Sequence, residues 1–199
     1  MELTVDFVPD RNMVKHTIVN FHYLHRWPNV QYAIGLYRDW VLEGVVTFGQ
    51  PASPHVKVSA CRANPEKVVE LNRLWVSDDL PRNTESWFLS RALKLLPPLV
   101  IVSYADTGVG HQGYVYRASN FYFGGESAER YDYEIPGKHS RGYIRSGIPS
   151  SQLNKVPRSR KMRYWTVTGN RRERKELEKI VGWSKLDWKQ VTSKGASTP

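Results

Sequence analysis

The sequence predicts an α/β (α+β) fold: a mixed central sheet flanked by helices, with a basic C-terminal extension. Three observations carry this. Residues 68–125 divide into strand, loop, helix, strand, polar loop, helix and strand. Upstream, short runs of alternating apolar residues add further strands, two of them as a hairpin. Finally, the positive charge is confined to one third of the chain. Residues 138–199 hold 16 of the 29 Lys and Arg but 4 of the 19 Asp and Glu, a net +12, whereas residues 1–137 carry −2.

Taken in order, Leu3 to Val8 alternates and reads as a strand. Met13, Val14, Ile18 and Val19 lie near helical spacing, so Arg11 to Tyr23 reads as a helix. Tyr32 to Tyr37 and Val41 to Phe48 form the hairpin, turning near Arg38-Asp39. Gly49 to Pro54 is a loop and Cys61 to Pro65 is irregular. Val68 to Val76 is a strand that Asp78-Asp79-Leu80-Pro81 ends. Thr84 is an N-cap candidate for a helix that stops at Pro97-Pro98. Leu99 to Ser103 is a short apolar run, as in a strand covered on both faces. A second helix is expected over His111 to Asn120, and Ala128 to Pro136 reads as a strand. Arg171 to Val181 is rich in helix formers, Trp183 and Trp188 are placed to pin that helix to the core, and the end from about Thr192 reads as disordered.

Composition bounds the function. One cysteine, Cys61, excludes an internal disulfide and a cysteine-only metal site. No apolar run approaches about 18 residues, so no membrane helix is expected. The start MELTVDFVPD lacks the basic and apolar regions of a secretory signal, and a cytoplasmic protein is the simplest expectation. The basic third points to a polyanion.

Five constellations carry candidate chemistry. His22 and His25 at i, i+3 would face one way on a helix, as a metal pair or an acid/base, or as ordinary residues at a helix end. Glu70, Asp106 or His111 would complete a ligand set from the sheet ends. Strand alternation puts Glu70 and Asn72 on one face and Arg73 on the other. Arg82, Asn83, Thr84 and Ser86 lead into a helix N-terminus after a strand, where free N–H groups attract phosphate; Thr84 and Ser86 are equally good as caps. Tyr104-Ala105-Asp106 ends a strand before a glycine-rich turn and His111, with Tyr116 following, as a functional pair and a proton donor or as an Asx turn and a core ring. Arg141, Tyr143, Arg145, Arg158, Arg160, Lys161, Arg163, Tyr164 and Trp165 interleave cations and rings, which suits phosphates and bases, or a solvated face.

The order of elements over 68–125 is similar to the GNAT acetyltransferase fold, in which two parallel strands splay around a cofactor. Leu74-Trp75-Val76 with Pro81-Arg82, and Tyr116 with Asn120-Phe121, carry that likeness. Asn83 to Ser86 stand where those enzymes have a glycine-rich pyrophosphate loop. A closer resemblance is to the phage Mom proteins, a divergent branch of this fold. Its blocks are LNRLWV at Leu71–Val76, PRNTESWFLSRALK at Pro81–Lys94, SYADTGVGHQGYVYRASNFYFGG at Ser103–Gly125 and FHYLHRWP at Phe21–Pro28.

The resemblance implies conversion of adenine in double-stranded DNA to N6-carbamoylmethyladenine, protection of phage DNA from restriction, and iron dependence. His22, His25 and His111 are then the expected metal ligands, and Glu70, Tyr104, Asp106 and Tyr116 the catalytic groups. Arg82, Asn83, Thr84 and Ser86 would hold acetyl-CoA or another acyl donor. Residues 1–137 would form a GNAT-like catalytic domain. Residues 138–199 would pack on it or extend it and contact DNA through Arg141, Arg145, Arg158, Arg160, Lys161, Arg163 and Tyr164. A homodimer is left open. The competing expectations are a conventional N-acetyltransferase and a non-catalytic DNA-binding module.

Overall fold

A computed structural model describes residues 2–134 and 147–188. The strands are β1 (Leu3–Phe7), β2 (Tyr32–Arg38), β3 (Val41–Gly49), β4 (Val68–Val76), β5 (Val100–Asp106), β6 (Tyr122–Glu126), β7 (Arg130–Tyr133), β8 (Lys155–Arg158) and β9 (Lys161–Val167). The helices are α1 (Arg11–Phe21), α2 (Pro54–Ala60), α3 (Thr84–Leu95), α4 (Tyr114–Ala118) and α5 (Arg171–Ile180). Seven strands make one sheet in the order β1-β2-β3-β4-β5-β9-β6, and β7 and β8 form a separate ribbon. The β4–β5 pair is parallel and its neighbours are antiparallel. The mixed sheet flanked by helices is therefore present. Among the described residues no helix is long and apolar enough to cross a membrane.

Alternation decides which face each helix covers. Ile34, Leu36, Val46, Phe48, Val69 and Ile101 point to one face and bury Phe88, Leu89 and Ala92 of α3. Ala33 and Val45 point to the other, where Val14 and Ile18 of α1 cover them. Val68, Val100, Val102, Trp165 and Val167 bury Leu177 of α5 on that second face too. The hairpin turns on Asp39 and Trp40, both at positive φ, the geometry that matches strand twist. Asn170 and Glu173 form a capping box that starts α5.

Several expectations shift. Thr84 is not the N-cap of α3: Asn83 occupies that place at φ 68°, and Thr84 is the first helical residue. The helix expected over His111 to Asn120 shrinks to Tyr114–Ala118, because Gly110 and Gly113 both take positive φ and break the turn before it. α2 begins on Pro54, a residue suited to a first helical position, within a stretch given no element from sequence. The strand expected over Ala128 to Pro136 becomes the short β7, off the main sheet. Trp165 is buried: β9 threads between β5 and β6, so the alternation of cations and rings from Lys161 to Trp165 is that of an inner strand. The segment expected to be disordered from Thr192 lies outside the described residues.

Candidate active site

β4 pairs with β5 only from Val68 to Glu70, against Val100 to Val102. Beyond Glu70 the strands part, and a cleft of about 340 Å³ opens between them. That size suits a small-ligand site. Ser103 Oγ crosses the gap to donate to Leu71 O at 3.1 Å. A bulge shapes the other wall. β3 pairs Phe48 with Leu71 but Thr47 with Arg73, so Asn72 is an extra residue. The bulge breaks the alternation on which the face assignment of Glu70, Asn72 and Arg73 rested, and all three line the cleft. Asn72 accepts from Thr47 Oγ1 at 2.6 Å and donates to Asn29 O at 2.7 Å. Arg73 donates to Arg26 O through Nε and Nη2, at 3.2 and 3.1 Å. These bonds hold the segment after α1 against the cleft.

That segment starts with His22, the C-cap of α1. Its Nδ1 accepts the Leu24 N–H at 3.1 Å. Burial, then the positive charge of Arg73 and of the neighbouring histidines, lowers its pKa to about 4. A neutral ring whose Nδ1 accepts must carry its proton on Nε2, so His22 is a hydrogen-bond donor. The His22 ring stacks on Tyr23 at 4.5 Å, and Tyr23 meets His111 edge-on at 5.1 Å.

The opposite wall comes from the end of β5. Asp106 is partly desolvated, which raises its pKa, but the Ser159 hydroxyl, the Gly108 N–H and Lys161 outweigh this and hold it below the usual range. Ser159 Oγ donates to Asp106 Oδ1 at 2.6 Å, and Lys161 Nζ sits 3.3 Å from Oδ2. Tyr116 is pushed up to about 12 by burial, against its bond with Ser103. Tyr104 is also pushed up to about 12, first by burial and then by the charge of Glu70. Both phenols keep their protons at neutral pH.

The structure thus gathers His22, Glu70, Tyr104, Asp106, His111, Tyr116 and Lys161 around one cleft. His25 is not with them. α1 ends at Phe21, so the i, i+3 pair is not helical; His25 lies at φ 45° and its Nδ1–H donates to Val19 O at 2.9 Å. The expected ligand set fails a second test. His22 offers no free lone pair, and Asp106 spends Oδ1 on Ser159 and Gly108, leaving only Oδ2, beside Lys161, with an acceptor position. Among the described residues no group of three or more His, Cys, Asp or Glu gathers to hold a metal ion. As arranged, these side chains do not fit the iron that the resemblance implies.

The donor-binding residues also differ from expectation. Thr84 is buried and its hydroxyl donates to Pro81 O at 2.6 Å, while Ser86 Oγ donates to Asn83 O at 3.0 Å. Local carbonyls take both hydroxyls, as in helix starts generally. Arg82 and Asn83 are exposed, and Asn83 makes no side-chain cap. From this helix start only Glu85 lines the cleft.

Of the expected DNA contacts, Arg141 and Arg145 lie outside the described residues. Tyr164 is fully buried, with its hydroxyl donating to Gln112 O at 2.7 Å, because β9 is an inner strand. It is core and not a stacking ring. Arg163 lies over Trp183 at 5.4 Å. Arg158 pairs loosely with Asp132 at 3.9 Å, Arg160 with Glu126 and Glu129, and Lys161 with Asp106. Sequence reasoning missed Tyr23 and Gln112, and it put Arg73 on the face away from Glu70 and Asn72. The contiguity of Tyr23 with His22 was one available signal, and the polar doublet Asn72-Arg73 between Leu71 and Leu74 was the trace of the bulge that turns Arg73.

The sequence profile of the Mom protein family matches residues 2–178. The chain belongs to the Mom protein family. The methylcarbamoylase Mom of Escherichia phage Mu is 32% identical over 185 residues, covering 82% of this chain and 76% of that protein. Among solved structures, this Mom family member is similar to an acetyltransferase of the GNAT family from Bacillus cereus, at 13% identity and TM-score 0.48 over 85% of this chain and all of that one. A Bacillus subtilis acetyltransferase in complex with CoA gives 11% identity and TM-score 0.46 over 82% and 97%.

Proposed function

We propose that this protein is a transferase that converts adenine in double-stranded DNA to N6-carbamoylmethyladenine, in the host cytoplasm, and thereby shields phage DNA from restriction. The carrying observation is that the family match over residues 2–178 includes every residue lining the cleft between β4 and β5. The relative from phage Mu is named for methylcarbamoyl transfer.

The target nitrogen is paired and stacked in the duplex, so the base must leave the helix at a cost of a few kcal/mol. Tyr23 and Tyr114 present exposed rings beside the cleft, suited to holding a flipped base. The reaction forms one bond from N6 to the two-carbon unit, breaks that unit's bond to its carrier, and releases one proton from N6. Lone-pair delocalisation makes N6 a poor nucleophile. Once the new bond forms its N–H becomes acidic, so an ionised carboxylate such as Asp106 suffices to take the proton. Tyr116 and Tyr104, protonated at neutral pH, donate to the carbonyl of the two-carbon unit or to its leaving group, and the Nε2–H of His22 adds a third donor. Glu70 stands at the point where the strands part. Arg82 and Asn83, exposed at the start of α3 beside the cleft-lining Glu85, would meet an anionic group of the donor outside the cleft.

DNA from aerobic, iron-replete cells expressing the protein is expected to yield adenosine heavier by the carbamoylmethyl group in nucleoside mass spectrometry. Tyr116→Phe should lower that yield by about 10²-fold or more while leaving DNA affinity unchanged. Unmodified adenosine from the unaltered protein would refute the reading. Tight calorimetric binding of acetyl-CoA together with unmodified DNA would instead favour a conventional acetyltransferase.

A further inference from the structure

The β7–β8 ribbon stands apart from the sheet and contributes no buried side chain. Its register places Arg130 opposite Arg158 and Tyr131 opposite Pro157. Two arginines directly across a ladder repel one another, an arrangement that costs stability unless an anion lies between them. Asp132 offers only a 3.9 Å contact to Arg158. On the other face Lys155 lies over the Tyr131 ring at 4.4 Å, and that ring is 51% exposed. The chain joining the two strands adds Lys138, Arg141 and Arg145 by sequence, against the single carboxylate of Glu134.

The ribbon is also tied to the cleft. β8 runs directly into Ser159, which donates to Asp106, and into Arg160, whose carbonyl accepts from the Thr107 hydroxyl at 2.7 Å. Four residues at about 3.3 Å each give strands about 13 Å long. A two-stranded ribbon of that size fits a major groove about 12 Å wide. Pro157 lacks the N–H that a strand of another protein would use to extend the ribbon's edge.

We propose that the β7–β8 ribbon docks in the major groove of duplex DNA, with Arg130, Lys155 and Arg158 on phosphates, and presents the adjoining nucleotides to the cleft. This rests on the DNA-modifying reading, but binding can be read without the chemistry. The full chain would be titrated into a labelled duplex about three helical turns long, over a range of salt. The pair Arg130→Gln with Lys155→Gln is expected to weaken binding about tenfold or more and to flatten the log–log salt slope by about 0.9 for each phosphate that is no longer neutralised. The pair Arg172→Gln with Lys175→Gln, which removes the same charge from α5, should leave the slope unchanged. Unaltered thermal melting of both variants would establish that the fold is intact.

Equal flattening by both pairs, or affinity unchanged in the ribbon pair, would overturn the proposal. So would competition by a minor-groove ligand but not by methyl green, a major-groove one. A ribbon variant that alters the protein's mass in light scattering while holding its DNA affinity would make the ribbon a contact between copies and likewise overturn it. Ribbon-dependent binding without modified nucleosides would remove the enzymatic reading and leave this one standing.

Discussion

His22 is the residue whose titration stability should report. Its folded pKa of about 4 lies below the ordinary 6.5. Between those values the unfolded chain binds the proton and the folded chain does not. Stability from this group is therefore complete above about pH 6.5 and is lost as pH falls toward 4. The lowered pKa of Asp106 acts in the same direction, but its loss begins only below the ordinary value of 3.8. His22→Asn keeps an acceptor for the Leu24 N–H and removes the titration. Its melting temperature is expected to vary less than the unaltered protein's between pH 6.5 and 4.5; parallel curves for the two would refute the assignment. At this scale the sequence was informative about identity and uninformative about state. His22, Asp106, His111 and Tyr116 were legible as polar groups at strand and helix ends. That His22 is a neutral donor with a spent Nδ1 follows from one backbone contact, which no spacing rule encodes.

At the scale of elements, the turn between β5 and α4 sets the cleft wall. Gly113 has φ +73°, and a Cβ there would come within 2.3 Å of the Tyr164 ring. Both the left-handed backbone and the close ring require glycine. Gly113→Ala is expected to cost about 2 kcal/mol or more, read by urea unfolding. A change of a few tenths would mean that Tyr164 and the turn yield easily, and that the wall is not held as described. The β4 bulge works in the same way on the facing strand. The polar doublet Asn72-Arg73 between Leu71 and Leu74 interrupts plain alternation, but which of the two is the extra residue is defined only by what β3 pairs with. The length of α4 was misread for a related reason, since Gly113 reads as a tolerated helical residue until its φ is known.

At the scale of the whole molecule, the basic third is not an appendage. β9 lies between β5 and β6, and Tyr164 and Trp165 are among the largest fully buried side chains. Removing it would expose one edge of β5 along its length and open the two core clusters that β9 packs into, under α3 and under α5. A chain ending at residue 137 is therefore expected to lack a cooperative melt and to bind a hydrophobic dye; a sharp transition in that fragment would show that the sheet tolerates the truncation. Supplying DNA with the intact chain should sharpen protection at the ribbon and the cleft mouth while leaving the β2–β3 hairpin as it was.

Elements with local causes are legible from the residues alone. Helical spacing placed α1, helix-forming composition placed α5, alternation placed β1 to β4, and a short apolar run placed β5. The sequence's long family blocks also determined the kinship. Long-range contacts set the rest: that β4 and β5 part after Glu70, that Asn72 is an extra residue, that Lys161 to Trp165 lie in an inner strand, and that His25 stays away from the cleft that His22 and His111 line. The reason is physical. Pairing partners and burial are properties of contacts between distant segments, and a side chain's charge state follows from those contacts and not from its neighbours in the chain.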